Sequence, residues 1–182
     1  MKMLKIYSCI IFTLVVICFY FMISGNVTIG YSGFGFDSSD VLYIGTDTAI
    51  EKYVDGNKVG EINPQTSRGY AFTLENDIIL LSTASYVYNL DLDGTVISKE
   101  EDIGTKTFNK IERKKNHFIT PDGREYRFKS FLGRRYIDDA AGTVIYKMPL
   151  LDYIVKVVLD LVAISMFICV PIIVWKTRKA NK

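Results

Sequence analysis

Hydrophobic and polar positions fall into three regimes along the chain. From Ile6 to Ile23 no residue is charged, and bulky apolar side chains occupy every face of the implied helix. A bilayer core of about 30 Å takes about 20 apolar residues at 1.5 Å each, so this stretch predicts a membrane helix. A core helix of a soluble protein would keep a polar face, and none is present. The segment ends Phe21-Met22-Ile23-Ser24-Gly25, with no clean Ala-x-Ala cleavage site, and the bulky Ile17 precedes Cys18. The expectation is a retained anchor.

The second apolar regime runs from Tyr153 to Trp175, uninterrupted from Leu161 onward, with Asp152, Lys156 and Asp160 at its start. Lys176, Arg178, Lys179 and Lys182 follow it, and Lys2 and Lys5 precede the first segment. Basic flanks mark cytoplasmic ends, so both termini are expected in the cytoplasm and the middle of the chain outside it. Tyr20, Tyr153 and Trp175 stand where interfacial rings are favoured. The expected organisation is a cytoplasmic N-terminus (1–5), a signal-anchor helix (6–23) and a Gly/Ser/aromatic connector (24–40). An extracytoplasmic β domain (41–148), a second membrane helix with its outer entry (149–175) and a basic cytoplasmic tail (176–182) follow. Tyr31, Phe34 and Phe36 of the connector suit either the headgroup layer or the domain surface.

Between the two regimes the pattern alternates with period two. Tyr86, Tyr88, Leu90 and Leu92 point one way, and Val87, Asn89, Asp91 and Asp93 the other. Similar runs predict strands at 41–45, 50–54, 58–62, 70–74, 78–83, 95–99, 106–113, 117–120, 125–131, 135–138 and 143–147, with no helix among them. Asp55-Gly56, Asp93-Gly94 and Asp122-Gly123 read as hairpin turns, where glycine accepts the positive φ of a tight reversal.

Gly94-Thr95-Val96-Ile97 recurs as Gly142-Thr143-Val144-Ile145, the upstream Tyr88-to-Gly94 aligns with Tyr136-to-Gly142, and Tyr53-Val54-Asp55-Gly56-Asn57-Lys58-Val59 is a looser copy. The glycines at 56, 94 and 142 divide the domain into units of four short strands. Such units resemble the blades of β-propellers, whose period is about 40 to 50 residues. That resemblance implies an architecture of antiparallel blade-like meanders and no particular family. Three units are fewer than a typical propeller, so the expectation is an open or sandwiched array, or blades completed by another chain.

Composition narrows the chemistry. Cys9, Cys18 and Cys169 all lie in the apolar segments, leaving no disulfide or thiolate site for the β domain and suiting a bacterial surface. His117 is the sole histidine, which rules out multi-histidine metal sites, and nucleotide-binding and nucleophile-elbow motifs are missing. No cofactor is expected. Asp91-Leu92-Asp93-Gly94 lacks the further ligands of a calcium loop and reads as a turn.

Two groups of residues stand out. Asp152, Lys156 and Asp160 follow one another at helical spacing, with Asp160 about a turn inside the bilayer and Tyr20 expected at similar depth; an intramembrane carboxylate calls for a polar contact. Charge is also segregated: residues 24–105 hold four basic and thirteen acidic residues, while 106–153 hold eleven basic and six acidic. The basic part, with Arg113, Lys114, Lys115, Arg124, Arg127, Lys129, Arg134 and Arg135, suits an anionic partner, lipid headgroups or a second copy. Nucleic acid does not fit the outer face of a membrane. The reading is a non-enzymatic two-pass membrane protein whose β domain binds or scaffolds, as accessory subunit of a membrane complex or homo-oligomer. Its alternatives are a sensor acting through a partner subunit and a hydrolase using acidic residues.

Overall fold

The computed structural model describes residues 2–64 and 69–180. Arg68, Lys182 and the side chains of Lys2, Lys5, Cys169, Trp175, Lys176, Arg178 and Lys179 lie outside what is described. The chain divides into a helical unit (residues 1–27 and 149–182) and a β unit (28–148).

The helical unit holds α1 (Lys2–Ile23) and α3 (Leu150–Ala180). On α1 the less exposed residues are Tyr7, Ile11, Val15, Cys18 and Met22, spaced three or four apart and therefore on one face. On α3 the corresponding stripe is Asp152, Val155, Leu159, Val162 and Ser165. Tyr7 Oη donates to Ser165 Oγ at 3.0 Å and ties the stripes together. The remaining surface of α1 is open: Ile6–Ile23 has a mean hydropathy of 2.5, yet only 6% of it is buried. Among the described residues it is the one helix long and apolar enough to cross a membrane or serve as a signal anchor.

The β unit comprises three antiparallel sheets, each a meander of four consecutive strands. Sheet 1 contains β1 (Gly33–Phe36), β2 (Leu42–Gly45), β3 (Ile50–Val54) and β4 (Asn57–Ile62). Sheet 2 contains β5 (Ala71–Glu75), β6 (Ile78–Ser82), β7 (Tyr86–Leu90) and β8 (Val96–Glu101). Sheet 3 contains β9 (His117–Ile119), β10 (Glu125–Phe131), β11 (Arg134–Asp139) and β12 (Val144–Lys147). The sheets do not close into a barrel. In every sheet the pairing slips at one point between third and fourth strand, at Lys52/Tyr53, Asn89/Leu90 and Ile137/Asp138. A bulge at that place strengthens the local twist.

Sheet 1 is covered on both faces. On one, Phe36 stacks on Tyr126 with centroids 4.2 Å apart, and Tyr53 meets Tyr146 edge-on at 5.0 Å. On the other, Gly33 and Gly45 lie against Phe72. A Cβ on Gly33 would stand 2.7 Å from the Phe72 carbonyl oxygen, and its φ of +133° disfavours any side chain; a Cβ on Gly45 would stand 2.7 Å from the Phe72 ring. The amide of Phe72 completes the contact by donating to the Ser32 carbonyl at 3.3 Å. Phe72, Ile50, Ile79, Leu81 and Ile137 form the solvent-free centre.

Two sequence expectations change here. The connector expected over 24–40 contains β1, and Phe34 and Phe36 point into the β core rather than toward headgroups. A strand buried on both faces needs no alternation, and here glycine replaces side chains where a neighbouring sheet approaches, so period two is silent. Residues 106–113, expected as a strand, form α2 (Lys106–Lys114). Phe108 and Ile111 are the apolar positions, three apart, which a helix gathers on one side and a strand would split between two faces. Ile111 is the buried one.

The two Gly-Thr-Val-Ile segments adopt the same hairpin. Asp91 and Thr95 bond as Asp139 and Thr143 do: the aspartate amide donates to the threonine carbonyl at 3.0 Å in both, and the aspartate Oδ1 accepts the threonine amide. The carboxylates of Asp91 and Asp139 thus serve the backbone of their turns, and those hydrogen bonds hold both below the usual carboxylate range.

Candidate functional site

α2 is the one helix of the β unit among the described residues, and its position is set by an unusual cap. Gly104 and Thr105 both take positive φ (73° and 54°), turning the chain so that Asp102 comes beneath the helix start. Asp102 accepts the amides of Thr107 at 3.0 Å and Phe108 at 2.9 Å, and the Ser82 hydroxyl at 3.2 Å. Burial by itself would raise the Asp102 carboxyl; the donated bonds from Phe108, Thr107 and Ser82 outweigh it and the net shift is downward. The cap fixes the helix on sheet 2, where Ile111 sits over Thr73 and Leu80 beside a small cleft of about 90 Å³ also bordered by Phe34 and His117.

The outer side of α2 is strongly basic. Lys106, Lys110, Arg113 and Lys114 have no acidic partner among the described residues, and with Asn109 and Gly104 they line an open concavity of about 430 Å³. Lys115, next along, is taken up by Glu112 at 2.7 Å.

The other basic residues singled out in the sequence are engaged within the β unit. Arg124 bridges Asp40 at 2.6 Å and Asp122 at 2.7 Å, which stabilises its charge further. Arg127 holds Glu125 at 2.7 Å, and Glu125 also takes His117 Nε2 at 2.7 Å. Those two contacts, Arg127 first, lower the Glu125 carboxyl. Lys129 reaches the buried Asp138 at 2.6 Å. Arg134 donates to the Met148 carbonyl at 3.0 and 3.2 Å, and Arg135 to that of Gly30 at 2.7 Å. Arg124, Arg127 and Lys129 are thus paired with acids inside the β unit and Arg134 and Arg135 are held by backbone carbonyls, while Arg113 and Lys114 stay open on α2. The recurrence of basic residues three and four apart, Lys106, Lys110, Arg113 and Lys114, is the signal in the sequence for this face.

Aromatic and acidic groups elsewhere are similarly committed. Tyr31 stacks on Phe128 at 3.8 Å and donates to the Lys115 carbonyl; burial raises its phenol. Buried Glu51 accepts Tyr53 Oη and Lys58 Nζ, each at 2.8 Å. Among the described residues no three His, Cys, Asp or Glu side chains converge as metal ligands.

On α3, the charged ladder winds around the helix instead of holding one line. Asp152 is buried on the stripe shared with Val155 and Val162, Lys156 is partly covered, and Asp160 is exposed. Lys156 Nζ donates to Asp160 Oδ2 at 2.6 Å. Tyr20 stands on the open side of α1, its ring edge-on to Phe21 at 5.9 Å. The α1 tyrosine bonded to α3 is Tyr7.

No family model and no curated protein matches the chain. Among solved structures, a protein of unknown function from Bacteroides caccae is similar at 11% identity over 66% of this chain, with a TM-score of 0.31. The match spans 46% of that protein's own chain.

Proposed function

We propose that this chain is a non-enzymatic, two-pass membrane protein, both termini cytoplasmic, whose extracytoplasmic β domain binds an anionic partner as accessory subunit of a membrane complex. The domain is read as three blade-like units. The observation that carries the binding role is the open basic face of α2, four cations without acidic partners among the described residues, in a unit where Lys58, Arg124, Arg127 and Lys129 each meet an acid. Unpaired cations on a rigid helix attract and orient an anionic surface without having to break an internal pair first. The exposed apolar span of α1 supports the anchoring role, since only 6% of Ile6–Ile23 is buried. α3 supplies the second crossing in this reading.

The test uses the full chain in its own membranes. Purification in mild detergent is expected to recover a stoichiometric membrane partner at low salt, and to lose it at high salt or after Lys110→Glu, Arg113→Glu and Lys114→Glu together. Recovery unchanged by those substitutions would overturn the role of α2. A Ser130→Cys probe should react with an impermeant maleimide on intact cells; labelling only after lysis would overturn the sidedness. Hydrolytic turnover by the purified chain would overturn the non-enzymatic reading.

A further inference from the structure

Asp160 of the Lys156–Asp160 pair faces away from the helix that α3 packs against, and Lys156 lies to the side, partly covered. Val155 and Val162 are buried, and Ser165 bonds α1, so their stripe is the α1-facing side. At about 100° per residue, Asp160 lies roughly 150° around the helix from that stripe. Its side chain is 58% exposed, among the apolar and exposed Leu161, Ile164 and Phe167.

Depth follows from the same hydrogen bond. The chain leaves α1 at Ile23 for the β unit and returns from it at Leu150, so the two helices run in opposite directions past the Tyr7–Ser165 contact. Five residues back along α3 from Ser165 is Asp160, and five residues forward along α1 from Tyr7 is Phe12. Asp160 therefore stands level with the interior of the Ile6–Ile23 span, deeper than the outer-edge position expected from its place in the sequence. An ion pair on the outward face of a membrane hairpin, at the depth of its apolar span, is costly unless a further protein surface covers it.

We propose that this face of α3 is a self-association surface, on which Lys156 and Asp160 of one copy pair with Asp160 and Lys156 of a second. The inference rests on the two-pass reading above. Charge selects the occupant. The face carries one cation and one anion a helical turn apart; two copies in the same orientation bring like residues to one depth, and the long Lys156 side chain, which reaches its own Asp160 at 2.6 Å, spans the turn to the second carboxylate. A two-fold axis along the membrane normal sets two such faces together, each ammonium within reach of its own carboxylate and of the partner's. The four charges sum to zero, and two apolar surfaces close over them. A foreign helix bearing a single charge would leave one member of the pair unanswered. Self-association also gives the α2 surfaces of two domains a common origin, and two linked sites bind an extended anionic partner more tightly than one.

The experiment uses full-length chains carrying two different tags, co-expressed, extracted in mild detergent and placed in nanodiscs. Wild-type copies should co-purify. Lys156→Asp chains carry two acids on the face and Asp160→Lys chains two bases, so each alone should lose about tenfold in self-association. Mixing the two should restore it. Retained self-association of both variants, or failure of the mixture to recover, would overturn the proposal. A second measurement does not depend on altered charge. With Cys9, Cys18 and Cys169 replaced by serine, Ile164→Cys or Phe167→Cys should cross-link copy to copy, and Val162→Cys should not. Cross-linking of Phe167→Cys only to a different protein, or to nothing, would overturn the second copy as occupant. Alkaline carbonate separates the two readings. A wild-type chain that washes off the membrane contradicts the two-pass reading, whereas one that stays embedded and monomeric contradicts self-association alone.

Discussion

The Asp102 carboxylate stands beneath the first turn of α2 and accepts the Phe108 amide at 2.9 Å, three positions ahead of the residue where an N-cap would ordinarily sit. The positive-φ step at Gly104 and Thr105 makes this reach feasible. One carboxylate thereby joins β8, the Ser82 end of β6 and the helix that carries the basic face.

Asp102→Ala should cost about 1–2 kcal/mol, as removal of a helix cap does, and raise the hydrogen exchange of the Thr107 and Phe108 amides more than that of sheet 3. Acid should act the same way. The folded carboxyl lies below its unfolded value of about 3.9. Its contribution is thus complete above that value and lost as pH falls through the lower, folded one. Loosening of α2 that begins near neutral pH would contradict this account.

Gly33→Ala should destabilise the β unit by about 1–3 kcal/mol, the cost of a side chain at a strained φ with no room for it. The Cβ would meet the Phe72 carbonyl. Gly142→Ala, at a turn where a Cβ would meet nothing, should be less damaging. Denaturant midpoints of the two variants compared with wild type read the difference, and equal midpoints would contradict the close approach of sheets 1 and 2.

Lys129→Ala should leave Asp138 as a buried carboxylate without its ion-pair partner. Oδ1 of Asp138 has no hydrogen-bond partner among the described residues, so the Lys129 contact to Oδ2 is its main compensation. A loss of about 1–3 kcal/mol is expected. Replacing both residues, Lys129→Ala with Asp138→Val, should recover part of it. A double variant less stable than the single one would show that Asp138 is held by something other than Lys129.

Tyr7→Phe and Ser165→Ala each remove one side of the hydrogen bond between α1 and α3. In a bilayer such bonds contribute about 0.6 kcal/mol on average, so the coupling energy from the double-variant cycle should be near that value. Coupling indistinguishable from zero would remove the basis for the relative depth of Asp160.

Much of the β unit was legible from residues alone. β3 and β10 have the bounds that alternation predicts, and Asp55-Gly56, Asp93-Gly94 and Asp122-Gly123 all lie in hairpin turns. β1 was not legible, because Gly33-Phe34-Gly35-Phe36 is enclosed on both faces and carries no inside–outside contrast. α2 was missed because nine residues with two apolar positions are too short to display a period beside their cap. The basic cluster was legible as composition, but some of its partners lie far away in sequence: Arg124 finds the Asp40 carboxylate, and Arg135 the Gly30 carbonyl.

The sequence by itself determined the uncharged span of α1, the alternating strands and the places where the chain reverses, because each depends on neighbours a few residues apart. Only the tertiary structure decided which charges are spent inside the β unit, that Asp102 holds α2, and that Asp160 turns away from α1. Those outcomes depend on distances between segments separated by many residues, and local periodicity carries no information about such distances.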